Sequence, residues 1–205
     1  MSGSFLSSIR SLLGMEPSPA PQPAAHVEHT SLHGVAVEVI NTRPDIATAD
    51  VLDRLRDALG LIAQYQPWRL RHLQRDVRGI RVERFACRGA FFPGEQVIMT
   101  ELTFLARRDI TAAPVASSIL HEGVHARVFA MGVRGGHDMS REERLCRRAE
   151  LAFGLALPES LGAPVVERAL ASLQLDDRDV APVVDWQEAQ RRQSAVDAEQ
   201  TKPTF

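Results

Sequence analysis

One pentad in the chain has the residue types and spacing to do chemistry: His121-Glu122-Gly123-Val124-His125. On a helix, residues four apart share a face, so two imidazoles so placed can bind one ion. At about 100° per residue, Ala116, Ile119, Leu120, Gly123 and Val124 form an apolar sector that should pack inward, and the two histidines lie nearly opposite it. Glu122 sits one step round, where it can face a metal-bound water without being a ligand. Arg127 falls near the apolar sector, and its long stem lets the charge reach water. A solvent-exposed helix carrying two unrelated histidines would spell the same five letters, so the surroundings decide.

With this HExxH motif the chain resembles the zincin superfamily of metallopeptidases over about residues 75–155: a strand-rich segment, a motif helix and a second helix. The resemblance implies Zn²⁺ as cofactor, His121 and His125 as ligands, and Glu122 as general base. Catalytic zinc takes three protein ligands and leaves a position for water. The metzincin pattern would need a glycine and a third histidine where Val128 and Met131 stand, and is excluded. The gluzincin pattern takes a glutamate from the next helix, and Glu142, Glu143 and Glu150 are available. Ser140-Arg-Glu-Glu143 fits a capping box, and Glu142 suits the positive end of a helix dipole. Glu150 has neither role; it borders the apolar sector of Leu145, Cys146, Ala149, Ala152 and Phe153, where an acid needs a partner. Glu150 is therefore the expected third ligand, with His137 and Glu143 as alternatives and an ion pair with Arg147 or Arg148 as the non-metal reading. By the same resemblance, Gln96–Thr100 would rim the cleft and pair with extended substrate.

Other candidates carry less. His26, His29 and His33 border a proline-rich stretch and read as incidental loop histidines. Cys87 and Cys146 read as small core residues with reduced thiols. Trp68, Trp186 and Tyr65 read as packing residues.

The elements that must position the motif follow from periodicity. Gly34–Ile40, Ile80–Phe85 and Gln96–Thr100 have strand character, with Pro93-Gly94 as a turn. Helical spacing runs over 48–64, 113–131, 140–157, 163–173 and 182–199. Strands followed by a run of helices predict an α+β, zincin-like domain, with a small antiparallel or mixed sheet beside the active-site helix. Phe5, Leu6, Ile9, Leu12 and Leu13 fall on one face of a short amphipathic helix within residues 1–15, a candidate for weak membrane contact through 5–13, although terminal packing is the expected use. Residues 16–29 hold four prolines between Glu16 and Ala25 and predict a stiff linker. The domain is expected over 30–199, with a tail at 200–205.

The chain of 205 residues is 44% hydrophobic and 24% charged, which excludes wholesale disorder. A net charge of −2 argues against a nucleic-acid binder, and the near-absence of lysine among the 24 basic residues reads as coding bias and not function. No apolar run reaches the 18 or so residues of a membrane helix, and no secretory signal is legible, so a cytoplasmic protein is expected. The sequence thus predicts a zinc-dependent hydrolase of peptide bonds acting on a peptide or protein. The alternative is a zincin-like metal-binding module with little or no catalysis that acts through protein interaction. Deleting residues 1–25 should leave the thermal midpoint of the remaining domain almost unchanged; a large drop would place Phe5, Leu6, Ile9, Leu12 and Leu13 in the core.

Overall fold

The computed structural model describes residues 25–132, 139–181 and 186–200. The expected N-terminal helix, most of the linker, His137 with its loop, and residues 201–205 lie outside them. The fold is α+β, with a five-stranded mixed sheet in the order β1-β2-β3-β5-β4. β1 (His26–Leu32) is antiparallel to β2 (Val35–Asn41), and β2 runs parallel to β3 (Gly79–Glu83). β3 is in turn parallel to β5 (Val97–Glu101), while β4 (Gly89–Phe92) closes the far side antiparallel to β5. The β1–β2 turn places His33 and Gly34 in the left-handed region, at φ 49° and 74°.

β2 alternates as a half-buried strand must, with Val35, Val37 and Val39 inward. α1 (Thr48–Tyr65) answers with Val51, Leu52, Leu55, Leu59 and Ile62 on its buried stripe. α2 (Pro67–Asp76) opens on a proline at its first position, where the missing N–H costs nothing. After β5, Glu101 caps the short α3 (Leu102–Ala106), its carboxylate accepting from the Phe104 N–H at 2.7 Å. α4 (Ala112–Ala130) carries the motif. It packs on α1, α2, β4 and α5 (Met139–Ala156), so it is buried on nearly every side. α6 (Glu159–Leu173), α7 (Asp177–Val180) and α8 (Trp186–Gln200) complete the order. No helix among the described residues is long and apolar enough to cross a membrane.

Several sequence expectations shift here. The chain enters the sheet at His26, inside the stretch read as linker, so His26 and His29 are exposed strand residues and not loop residues. Gln96–Thr100 cannot pair with substrate along its length, because β5 is already flanked by β3 and β4. The edge on that side of the sheet is β4. Ser140 is not an N-cap, since α5 has begun by Met139.

α5 is pinned by a close crossing with α6. A Cβ on Gly162 would strike the Gly154 carbonyl oxygen, and one on Gly154 would meet Val166 at 2.9 Å. Gly162→Ala should therefore cost about 1–3 kcal/mol of stability, read from urea unfolding, because backbone is what it strikes.

Candidate metal centre

Ser117, His121 and His125 stack on one line of α4, four residues apart. Facing them from α5 come Glu142, Glu143, Cys146 and Glu150, which share an arc of about 100° on that helix. The packing of α4 on α5 thus brings two imidazoles against three carboxylates and a thiol. His121 is only 8% exposed and Glu150 only 1%.

Each ring is held at Nδ1 by a carboxylate. His121 Nδ1 lies 2.7 Å from Glu150 Oε1, and His125 Nδ1 lies 2.6 Å from Glu142 Oε1. Glu150 is itself fixed: the Ser117 hydroxyl donates to Oε2 at 2.9 Å and Arg147 Nη1 donates to Oε1 at 2.6 Å. A carboxylate accepts only, so both Nδ1 atoms must carry hydrogen. In the neutral rings that leaves both Nε2 atoms as lone pairs, and they point at one another across 3.3 Å. Glu143 bridges the pair, with Oε2 at 3.2 Å from His121 Nε2 and Oε1 at 3.2 Å from His125 Nε2. Cys146 Sγ sits 3.5 Å from His125 Nε2, and it groups with the two histidines as a set of converging donors.

So many acceptors facing one point require a cation. With no metal present, protons supply it. Burial opposes charge on both histidines, yet Glu143 and Glu150 raise His121, and Cys146, Glu142 and Glu143 raise His125, each above the ordinary histidine range. Burial likewise opposes the charge on Glu143, but the two histidines hold its carboxyl well below the usual range. Burial pushes the Cys146 thiol up to about 11, against the pull of His125. A metal ion satisfies the same set. Zinc bound tetrahedrally at about 2.0–2.1 Å from nitrogen or oxygen separates those donors by about 3.3 Å, and nitrogen from a thiolate sulfur by about 3.5 Å. The observed spacings of 3.2, 3.3 and 3.5 Å fit it.

Glu122 is 8% exposed and turns from this cluster's α5 side toward the sheet. A Cβ on Gly89 would meet Glu122 Oε1 at 3.3 Å and Ser118 Oγ at 3.1 Å, so the β4 backbone lies directly on the acid. Burial raises the Glu122 pKa, with His121 and His125 opposing.

Of the residues expected at the centre, His121 and His125 are brought together, while neighbouring Glu122 faces β4. Glu150 arrives too, but on the far ring nitrogen of His121 and engaged by Ser117 and Arg147, so it does not join the converging Nε2 atoms. Glu143 instead spans the two Nε2 atoms, and Cys146 groups with the histidines as a converging donor. Cys146 is a core residue as expected, and also faces His125. Its position was legible in the spacing of Glu142, Glu143, Cys146 and Glu150 on one face. Both cysteines are free thiols. No family model, curated protein or solved structure matches the chain significantly.

In the metal-free protein the histidines' raised pKa values contribute stability that is complete below about pH 6.5, their unfolded value, and is lost as pH rises toward the folded values. The lowered Glu143 contributes above the ordinary carboxylate range and is lost in acid. Urea midpoints measured with chelator should therefore fall from pH 6 to pH 9, and His125→Gln should flatten that slope.

Proposed function

We propose that the chain is a zinc-dependent hydrolase of peptide bonds with a zincin-like arrangement, in which His121, His125 and Glu143 hold the ion and Glu122 is the general base. The observation that carries this reading is the convergence of two Nε2 lone pairs and the Glu143 carboxylate, with both Nδ1 atoms held by carboxylates. A carboxylate on the outer nitrogen of a ligating histidine fixes its tautomer and raises its basicity, which is the role this reading gives Glu150 and Glu142. Zinc bound there would supply Lewis acidity, polarising the scissile carbonyl and acidifying water. The Glu122 carboxylate would accept the proton of the attacking water and return it to the leaving amine, and its burial-raised pKa suits both halves of that task. β4, an edge strand with its Gly89 against Glu122, is the strand along which extended substrate would add.

Cys146 favours a second reading. Four protein donors make a closed structural site, whereas catalysis needs an open position. A closed site would make the chain a metal-binding module acting through protein interaction. Buried Glu122 beside the cluster has no use in such a module, and it tips the choice toward the hydrolase. Cobalt substitution separates the two: a strong thiolate-to-cobalt absorption band marks Cys146 as a ligand, and its absence marks an open position.

Glu122→Gln should bind zinc like the parent and lose about 10²–10⁴-fold in hydrolysis of an unstructured protein substrate. Full activity in the metallated variant would remove the mechanism. For the ligands, Glu143→Ala should abolish tight zinc binding, while Glu150→Gln should weaken it by about 10–100-fold, as loss of an outer partner does. The reverse ranking, measured by competition with a chromophoric chelator, would restore Glu150 as the ligand.

A further inference from the structure

A pocket of about 240 Å³ opens between α2, α4 and α5. Leu73, Leu120, Val124 and Ala149 give it an apolar floor, and Trp68 stands at its edge, 44% exposed. Its charged lining is all basic: Arg69, Arg127 and His72, with no acidic residue among them.

Arg69 is the telling group. Its guanidinium stacks on Trp68 at 4.3 Å, its Nε is buried with no hydrogen-bond partner, and no carboxylate meets it among the described residues. Arg84 and Arg147, by contrast, each reach a glutamate through a terminal nitrogen, Glu101 and Glu150 respectively. Arg127 is no better served. It reaches Asp76 only at 3.7 Å, and Arg75 already holds that carboxylate at 2.7 Å. His72 senses the same field, since burial first and then Arg75, Arg127 and Arg69 hold it below the ordinary histidine range despite Asp76. A half-buried cation without a carboxylate partner carries a desolvation cost, and an anion from outside offsets it.

We propose that this pocket is a binding site for a small apolar carboxylate, whose carboxylate pairs with Arg69 while a single ring or short acyl chain fills the floor. The size fits, since an apolar cavity of about 150 Å³ accepts benzene and this one has room for a carboxylate beside the ring. The planar guanidinium matches a carboxylate in two parallel hydrogen bonds. The same chemistry is offered by a free acid and by the C-terminal residue of a peptide. The assignment stands independently of the zinc reading.

The test uses the full chain with Trp186→Phe, which leaves Trp68 as the sole tryptophan. Phenylacetate should change its fluorescence saturably, and neutral phenylethanol should bind at least about tenfold more weakly, the difference a charge-assisted pair makes. Arg69→Met should erase that preference while retaining the helical circular dichroism. If that variant fails to fold, the comparison of acid with alcohol on the Arg69 protein decides alone. Acetyl-glycyl-phenylalanine binding more tightly than phenylacetate, with its amide inactive, identifies a peptide C-terminus as the source; phenylacetate binding more tightly identifies a free acid. No saturable binding of either acid, or equal affinity for acid and alcohol, overturns the proposal.

Discussion

Two imidazoles buried against carboxylates at both of their nitrogens impose a charge requirement that the rest of this structure serves. Glu142 and Glu150 take the Nδ1 sides, Glu143 spans the Nε2 sides, and the cluster is then short of positive charge at one point. Burial makes that shortage expensive, because a carboxylate removed from water must find a partner or a proton. The α4–α5 packing that creates it is in turn held by the Gly154–Gly162 crossing behind α5 and by α1 and α2 on the other faces of α4. The close Gly154–Gly162 crossing thus helps keep this set of acceptors together.

The sheet serves the same centre from the other side. Three parallel strands, β2, β3 and β5, leave β4 as an antiparallel edge, and Gly89 on it has no side chain because Glu122 and Ser118 occupy that space. The pocket lined by Arg69 shares two walls with the cluster, since Leu120 and Val124 neighbour the histidines on α4 and Leu145 and Ala149 bracket the turn of Cys146 on α5. A ligand there would press on the two helices that hold the converging donors.

Much of this was legible in the sequence. β2, β3, β5, α1, α4, α5 and α6 follow from period-2 and helical patterns, and the motif places His121, Glu122 and His125 correctly on one helix. The rest was hidden for physical reasons. β1 reads HVEHTSL because an edge strand buries little, only Leu32 here, so it carries no apolar alternation. β4 is four residues of uniform half-burial, too short to show a period. The capping rule weighed Glu143 as a backbone partner, whereas with α5 already helical at Met139 its carboxylate lies against the two histidines. Burial correctly marked Glu150 as an acid needing a partner, but burial cannot say which nitrogen of a ring it will face. The packing of α5 over the histidine face of α4 follows the reading that the next helix supplies a carboxylate, and the polar residues pair across that contact.

X-ray absorption at the zinc edge of the purified, zinc-loaded chain tests the central claim most directly. One zinc per chain is expected, with two imidazole nitrogens at about 2.0–2.1 Å, a light-atom ligand beside them, and loss of one imidazole in His125→Ala. A chain that retains no zinc against a weak chelator, or a shell without imidazole, would contradict it.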